Sequence, residues 1–529
     1  MQRDWSDERL LPHFSAPQSL EIYDLRGSSF DVQLSIATAA GLINRAQPRI
    51  YLVARDDDLS WLQTCLQTHP CTYPELRGET MLLSLIAAYR SMIEGFVIYD
   101  PAIQDSINIA TMLAAQRDGM VVSPSLAQYL HGQGIGLPIV RDLRSFHWKS
   151  RTQAYRWAYE QLLPSCSSMV VAGLSPTVAA SLRPLLVAEK SFIYWLDPRN
   201  ILPDCRAGGL SEAHLMYKIL RAFPPGTAHL GWLIQEGIGT TLTSLTAHPV
   251  LASDYLSNLE IWASVPAPSN AEQARTQAPA APLPSPDPHK IYLSFTMSDG
   301  DNLQYNQIRL RQLWNDPARG SVPIGWTISP ALVEAAPAIA HYYRETATEN
   351  DDLIAGPSGA GYMYSSFWPT SQLSFFLKRT GRLMREMQLE TIEVLDINIL
   401  QSLPLTLRAF VTGAGMALIH RKKQYLFAEQ LASFGVKGIL SGAGQRRASW
   451  REVANIPIYQ NAGIVKSVEE TLAFIRASAR TLPRPGFLNL YVLAWTMTPS
   501  DLKRVVETLN EEYKVVTPTA LLTLLASQD

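Results

Sequence analysis

The sequence predicts an α/β protein whose C-terminal part is a TIM-like (β/α)8 barrel, preceded by one or two small α/β subdomains. Strand-like and helix-like segments alternate along nearly the whole chain, a proline- and alanine-rich stretch divides it, and eight strand-like runs follow within residues 290–529. Such alternation is typical of parallel sheets covered by helices. Eight repeats over a segment of this size are typical of a (β/α)8 barrel, with an open doubly wound sheet as the alternative.

Composition limits the possible partners and compartments. The chain has 529 residues, is 47% hydrophobic and 17% charged, and has a net charge of −2. These values predict several folded cores and give no electrostatic reason to bind nucleic acid or an anionic membrane. No apolar run reaches the roughly 18 residues of a transmembrane helix. The charged start, MQRDWSDERLLPHF, is unlike a signal peptide, so the sequence as written predicts a cytoplasmic protein, or a secreted one if the true N-terminus is missing.

The four cysteines are sparse for this length. We expect buried free thiols, although Cys65 and Cys71 are close enough in sequence to pair.

The N-terminal part is predicted to form one α/β subdomain over residues 1–146 and a second over residues 147–263. Its strand-like runs are Leu20–Leu25, Pro48–Val53, Gly95–Tyr99, Gly119–Ser123, Ser168–Ala172, Phe192–Trp195 and His229–Ile234. The first helix, Asp31–Arg45, has Ser29 or Asp31 as its candidate N-cap. No glycine-rich phosphate-binding motif occurs at the strand-to-helix turns, so nucleotide binding has no support here.

Residues 264–289 are predicted to be a linker. The stretch from Ser264 to Pro288 contains seven prolines and almost no large apolar side chains. Such a composition cannot bury enough surface to offset the entropy of ordering, which predicts a semi-extended connection.

Residues 290–529 carry the eight strands of the predicted barrel. These strands are Ile291–Met297, Val322–Ile328, Asp352–Ala355, Thr391–Ile397, Ala417–His420, Val436–Leu440, Ile456–Tyr459 and Phe487–Leu493. Helix-like segments lie between most of them, including Leu303–Leu313, Leu332–Ala347, Ser371–Met387 and Val468–Arg480. In such a fold the reacting groups come from the carboxyl ends of the strands.

The first of these strands ends in a cluster of polar groups. The stretch IYLSFTMSDGDNLQ places Asp299 and Asp301 on either side of a glycine, with Asn302 and Gln304 directly after them. A strand that runs into paired carboxylates is typical of an active-site edge, although Asp-Gly and Asp-Asn also occur in ordinary solvated turns.

Other strand ends add candidate substrate-binding residues. These candidates are Trp326, Ser358, Tyr362, Tyr364, Asn398, Gln460, Asn461 and Trp495. Carboxylates, amides and aromatic rings on one rim suit a carbohydrate, because sugar hydroxyls need polar partners and sugar C–H faces stack on aromatic rings. The structural alternatives are core tryptophans at 326 and 495 and a pair of tyrosines that fills the barrel mouth.

Asp396, at the end of the fourth strand, is the predicted partner of Asp299 or Asp301. Glycoside hydrolysis needs one acid to protonate the leaving oxygen and a second carboxylate as base or nucleophile. Glu393 alternates with the face that carries Asp396, so we expect it to pack toward the outer helices.

The sequence requires no cofactor. Asp299, Asp301 and Asn302 are also hard oxygen ligands for Ca²⁺ or Mg²⁺, but the EF-hand pattern is missing. The alternatives to a hydrolase with two carboxylates are a non-catalytic carbohydrate-binding protein and a metal-dependent hydrolase. The isolated His341 and His420 count against a metal-dependent deacetylase.

Several segments are similar to the bacterial GxGYxYP family of putative glycoside hydrolases. They are Gly359-Ala360-Gly361-Tyr362-Met363-Tyr364 after Gly356-Pro357-Ser358, Ser298–Gln304, Gly41–Arg45 and Pro48-Arg49-Ile50-Tyr51. Ser365 replaces the closing proline of the family motif. The resemblance spans nearly the whole chain and implies an N-terminal α/β region, a C-terminal barrel-like domain and a carbohydrate substrate.

Overall fold

The computed structural model describes residues 4–67, 69–73, 76–268, 285–395, 413–442, 449–461 and 463–528. Two compact units are formed. One comprises Arg9–Pro266 with Glu334–Ile339, and the other comprises the rest of the described chain. Most of the predicted linker at 264–289 lies outside the described residues.

The N-terminal unit contains three parallel sheets and the helices that cover them. Its strands are β1 (Leu20–Asp24), β2 (Ile50–Val53), β3 (Cys71–Thr72), β4 (Gly95–Ile98), β5 (Gly119–Val122), β6 (Ile139–Asp142), β7 (Val170–Gly173), β8 (Phe192–Tyr194), β9 (Ala228–Gly231) and β10 (Val250–Ala252). Its helices are α1 (Phe30–Asn44), α2 (Asp56–Cys65), α3 (Gly78–Ala88), α4 (Ser106–Arg117), α5 (Pro124–Gly132), α6 (Arg151–Gln161), α7 (Arg183–Ala188), α8 (Glu212–Arg221), α9 (Glu236–Leu245) and α10 (Leu259–Trp262).

The sheets of this unit have the orders β2-β1-β3, β5-β4-β6 and β10-β9-β7-β8. Buried side chains of the first two sheets join one core through α1, whose Val32, Ile36 and Ile43 belong to it. Ser29 caps α1 by accepting a hydrogen bond from the Val32 amide, as one of the two predicted candidates. The βα alternation of the sequence is therefore confirmed as parallel sheets.

The C-terminal part of the chain forms one large sheet. Its strands are β11 (Ile291–Met297), β12 (Ile324–Ile328), β13 (Asp351–Ala355), β14 (Thr391–Val394), β15 (Gly438–Ser441), β16 (Ser449–Val453), β17 (Ile456–Gln460), β18 (Ile464–Val465), β19 (Gly486–Val492) and β20 (Tyr513–Val515). The helices are α11 (Leu303–Gln307), α12 (Arg309–Trp314), α13 (Leu332–Ala335), α14 (Pro337–Glu345), α15 (Thr370–Met387), α16 (Gly413–Leu431), α17 (Val468–Ala479), α18 (Pro499–Glu507) and α19 (Pro518–Ala526).

The sheet order is β16-β17-β15-β14-β13-β12-β11-β19-β18, with β20 paired additionally to β11. All of these pairings are parallel except that of β16 with β17. Among the described strands, no backbone pairing joins β17 to β18. The parallel α/β character is therefore confirmed, but a complete barrel is not. The predicted strand at Ala417–His420 is wrong, because this short apolar run lies inside helix α16.

Side chains show that the sheet is strongly curled. The Tyr459 hydroxyl on β17 donates to the Phe487 carbonyl oxygen on β19 over 3.1 Å. These strands are six positions apart in the sheet order, which would separate them by about 29 Å in a flat sheet. The two arms of the sheet therefore curve toward each other.

The inner face of this curled sheet is apolar at one end and polar at the other. Helix α19 packs Leu521, Leu522 and Leu525 against inner-face residues that include Tyr292 and Phe487. Thr519 lies in the first turn of α19. Its backbone amide donates a hydrogen bond to the Asp352 carboxylate over 2.7 Å, and its hydroxyl donates to the same carboxylate over 3.0 Å. Toward the carboxyl ends of the strands the inner face carries polar side chains, and the candidate site lies there.

The four cysteines are free. Cys65, Cys71 and Cys166 are half-buried rather than fully buried, and Cys205 is exposed. In the described part of the chain, no helix combines the length and the apolar character needed to cross a membrane.

Candidate functional site

Two glycines bring three strand ends into backbone contact. A Cβ atom on Gly300 would lie 1.9 Å from the Thr327 carbonyl carbon, and one on Gly356 would lie 2.4 Å from the Asp301 nitrogen. The Gly300 amide donates to the Thr327 hydroxyl over 2.9 Å, and that hydroxyl donates to the Met297 carbonyl oxygen over 2.6 Å. This packing fixes the turn that carries Asp299 and Asp301 after β11.

Asp299 is half-buried in that turn. Its φ of +72° is left-handed, a conformation that Asp tolerates better than most residues, and it ends the strand alternation. Burial raises the pKa of the Asp299 carboxyl, while hydrogen bonds from Ser298 and Trp495 act in the opposite direction. Asp301, two residues later, is also buried. The predicted pair therefore consists of a half-buried Asp299 and a buried Asp301.

Glu393 on β14 supplies a third carboxyl group. It is fully buried and pairs in register with Leu440, a member of the inner-face core. Glu393 therefore points inward, and the prediction that it packs toward the outer helices is wrong. Burial raises its pKa well above the ordinary value, and the negative charges of Asp301 and Asp299 raise it further. The Tyr491 side chain opposes this shift. Neither Glu393 oxygen has a hydrogen bond of ordinary geometry among the described residues.

The interaction between Glu393 and Tyr491 places them on opposite walls of the curled sheet. Their strands, β14 and β19, are four positions apart in the sheet order, about 19 Å if the sheet were flat. The three carboxyl groups and Tyr491 therefore converge on the space that the sheet surrounds.

Amides and hydroxyls extend this polar surface along the inner face. Asn489 accepts hydrogen bonds from the hydroxyls of Ser294 and Thr296 over 2.7 and 3.0 Å. Its Nδ2 donates to Oδ1 of Asn461 over 2.7 Å. The predicted candidate Asn461 is thus part of the inner polar layer.

Trp495 is the candidate aromatic residue that remains accessible. Its side chain is 50% exposed, and its ring meets the buried Tyr305 edge-on at 5.7 Å between centroids. It also hydrogen-bonds Asp299, which joins an exposed aromatic surface to the carboxylates.

The loop after β13 is buried instead of lining an open mouth. Ser358 accepts a hydrogen bond from the Leu395 amide over 3.2 Å, which ties the loop to the end of β14. Tyr362 and Tyr364 are buried and pack edge-on with their hydroxyls 3.4 Å apart. Gly359 has a φ of +111°, and a Cβ there would lie 2.4 Å from the Thr380 methyl group. These contacts agree with the alternative interpretation of the tyrosine pair, in which the two rings fill the barrel mouth instead of binding substrate.

Two of the predicted substrate-binding residues point away from the inner face. Trp326 is fully buried against Trp314 at 5.3 Å between ring centroids and donates to Asp351 over 2.8 Å. Gln460 is directed toward α16, where its Nε2 lies 3.4 Å from the Gln424 oxygen. We therefore assign both to packing between the sheet and its helices.

Asn302 and Gln304 belong to the start of α11. The Asn302 oxygen accepts from the Tyr305 amide over 3.0 Å and caps the helix, and Gln304 is half-buried in the first turn. Asp396 and Asn398 lie outside the described residues. Within the described ranges, no three His, Cys, Asp or Glu side chains group closely enough to hold a metal ion.

Sequence reasoning missed the inward orientation of Glu393 and the roles of Asn489 and Tyr491. A signal was present for Glu393 and for Asn489. TIEV has an acidic residue inside a fully buried strand, and FLNLYV has an amide between leucines. A polar side chain in such a strand has to be satisfied in the interior or used for function.

Models of one family match the chain in four consecutive segments. The first three are described as the first, second and third N-terminal GxGYxYP domains and match residues 19–91, 93–166 and 168–264. The fourth is described as the GxGYxYP putative glycoside hydrolase C-terminal domain and matches residues 289–526. No curated protein matches the chain.

Two solved structures are similar to the chain. A putative hydrolase from Bacteroides thetaiotaomicron VPI-5482 is 20% identical, with a TM-score of 0.80 over 99% of this chain and 98% of its own. A putative polysaccharide deacetylase from Mycobacterium smegmatis is 12% identical, with a TM-score of 0.32 over 47% of this chain and 95% of its own, which is too low to support an argument. The first likeness shows a shared fold over the whole chain.

Proposed function

The chain belongs to the GxGYxYP family, and from that premise we propose that it is a glycoside hydrolase in which Glu393 and Asp301 are the two catalytic carboxyl groups. The observation that carries the proposal is the fully buried Glu393 facing Asp301 and Asp299 inside the curled sheet. Two carboxyl groups with different proton affinities are what glycoside hydrolysis needs.

Glu393 is the general acid in this proposal. Burial and the two aspartates raise its pKa, which favours the protonated form, and that proton can be given to the leaving oxygen of the glycoside. Asp301 acts more strongly than Asp299 on the pKa of Glu393, and the Asp299 carboxylate already accepts from Ser298. We therefore assign Asp301 as base or nucleophile and Asp299 as the residue that holds the turn.

Carbohydrate is the substrate class that best fits the remaining groups. The half-exposed Trp495 ring offers a stacking surface next to Asp299, and the inner face adds the amides of Asn461 and Asn489. Stacked aromatic rings and directional amides are the usual partners of sugar C–H faces and hydroxyls.

The test uses leaving groups of different basicity. Wild type, Glu393→Gln, Asp301→Asn and Asp396→Asn are assayed on phenyl and 2,4-dinitrophenyl glycosides of a panel of sugars. Glu393→Gln should lower phenyl glycoside hydrolysis by about 10²- to 10⁴-fold but spare the dinitrophenyl series, because that leaving group needs no proton. Asp301→Asn should lower both series.

Glu386→Gln is the matched control, since this carboxylate is on the surface of α15 and pairs with Arg382. It should retain wild-type rates. Full phenyl glycoside activity in Glu393→Gln together with its loss in Asp396→Asn would assign the acid role to Asp396, the partner that the sequence predicts for Asp299 or Asp301.

Carbohydrate binding without catalysis is the second candidate, favoured by the exposure of Trp495. In that case no variant or wild type turns over any glycoside, but calorimetry detects sugar binding that Trp495→Ala weakens.

A further inference from the structure

An asparagine amide in the inner polar layer has an unused donor. Asn461 is fully buried, and its Nδ2 finds no acceptor among the residues that the structure describes. Buried donors in folded proteins are almost always paired, so such a group calls for an explanation.

The surrounding hydrogen bonds hold this amide in one orientation. Asn489 accepts from Ser294 and Thr296 through its oxygen, which leaves its Nδ2 to donate to Oδ1 of Asn461. The Asn461 backbone amide also donates to the Ser441 carbonyl oxygen over 3.0 Å. With its oxygen engaged and its backbone held, Asn461 presents only N–H groups to the interior.

The donor faces the same space as the carboxyl groups. Asn489, which anchors Asn461, and Tyr491, which interacts with Glu393, are two residues apart on one face of β19. That spacing is roughly 7 Å along a strand, about the width of one sugar ring. Asn461 itself directly follows β17, at the carboxyl end of the strand.

We infer that Asn461 is a specificity-determining residue whose Nδ2 donates a hydrogen bond to one oxygen of the sugar bound beside Glu393. The inference rests on the proposed function. Because the presented group is a donor only, it selects a sugar that carries an acceptor oxygen at that ring position, either a hydroxyl or a substituent carbonyl. A sugar with hydrogen at that position leaves the donor unpaired.

The experiment compares the p-nitrophenyl glycoside that wild type prefers with its 2-, 3-, 4- and 6-deoxy analogues. In wild type, removal of the contacted oxygen should lower kcat/KM by about tenfold, the size of one neutral hydrogen bond. In Asn461→Ala the same removal should cost nothing further, while the penalties at the other positions stay as in wild type. Thermal unfolding verifies that each variant is folded.

A second variant tests the orientation. Asn489→Asp retains the acceptor for Ser294 and Thr296 but removes the donor to Asn461, so the Asn461 amide should turn and present its oxygen. A hydroxyl at that position can then donate to the Asn461 oxygen, so its deoxy penalty should remain, whereas the deoxyfluoro analogue, which can only accept, should lose the advantage over the deoxy analogue that it has with wild type. Asn350→Ala is the matched control, because this amide binds the Gly320 carbonyl oxygen at the amino end of β13. It should leave every deoxy penalty unchanged.

The outcomes separate this inference from the proposed function. Turnover with unchanged deoxy penalties in Asn461→Ala overturns the inference alone. If wild type turns over none of the glycosides, the proposed function fails. The inference is then decided by binding: the Kd of each compound is compared between Glu393→Gln and the double variant Glu393→Gln with Asn461→Ala. Loss of one positional preference in the double variant supports it, and equal preferences or no binding overturn it.

Discussion

The protonation of Glu393 follows from its surroundings rather than from its chemical type. A buried carboxylate without a hydrogen bond of ordinary geometry is costly, and two nearby aspartates add repulsion, so the neutral acid is favoured. Asp299 is shifted in the same direction by burial but receives hydrogen bonds from Ser298 and Trp495.

Trp495 provides an aromatic surface and a hydrogen bond to Asp299, and different substitutions separate these two functions. Trp495→Phe keeps an aromatic surface but loses the hydrogen bond to Asp299, whereas Trp495→Ala loses both. We expect Trp495→Ala to raise KM by about tenfold through lost stacking, and Trp495→Phe to change KM much less. Because that hydrogen bond lowers the pKa of Asp299, its loss in either variant should raise the pKa of Asp299, which an NMR titration of the carboxyl carbon measures.

Steady-state kinetics on the preferred p-nitrophenyl glycoside measure the change in KM. Tyr255→Ala is a suitable control, since this ring is 49% exposed in the N-terminal unit. An increase in KM as large in Trp495→Phe as in Trp495→Ala would contradict a stacking role.

At the scale of elements, the backbone contact between β11 and β12 is what places the aspartates. Gly300→Ala would put a methyl group onto the Thr327 carbonyl. The clash is with backbone atoms, so no flexible side chain can move aside to relieve it. We expect a loss of about 3 kcal/mol in unfolding free energy or failure to fold, with activity lost in any folded fraction. Urea unfolding and glycoside turnover measure these losses.

Gly136→Ala is the control for that substitution, because a Cβ there meets nothing within 4 Å. It should change the unfolding free energy by less than about 0.5 kcal/mol. Wild-type stability in Gly300→Ala would show that the strand ends can separate without cost, which would remove the reason for their fixed geometry.

Elements were predictable from sequence where the local pattern decides them. Strand β11 has the predicted limits Ile291–Met297, because an apolar strand runs directly into a polar turn. The run Ala417–His420 was not, since four residues cannot distinguish a strand from a segment of helix. The inward face of β14 was also missed, because the curl of the whole sheet decides which side of a four-residue strand becomes the interior.

At the scale of the whole molecule, contacts between distant parts of the chain decide the site and the stability. Ser294 and Asn489 are 195 residues apart and share a hydrogen bond, a pairing that no local pattern predicts. The N-terminal unit has a comparable long-range contact. Asn44, in the motif Gly41–Arg45, accepts from the amides of Arg49 and Ile50 over 2.9 Å each and donates to Glu260 over 3.0 Å.

Glu260 should make the stability of this unit depend on pH. Burial raises its pKa to about 7 from 4.5, so the folded state binds more protons than the unfolded state between these values. Its stabilising contribution is complete below about pH 4.5 and is lost as the pH rises through 7. The shift corresponds to about 3 kcal/mol, and Glu260→Gln should abolish this part of the pH dependence while retaining an oxygen acceptor for Asn44.

The decisive measurement is the change in stability between two pH values, not stability at one pH. The buried amide of Glu260→Gln carries two N–H donors where the neutral carboxyl carries one O–H, and the cost of the amide is the same at every pH. Chemical unfolding of wild type and variant at pH 4.5 and pH 8 should show the variant gaining about 3 kcal/mol relative to wild type at the higher pH. Glu79→Gln, an exposed change in the same unit, should follow wild type. Parallel curves for wild type and Glu260→Gln would mean that Glu260 stays ionised in the folded protein, and that water or a rearrangement of α10 reaches its unpaired oxygen.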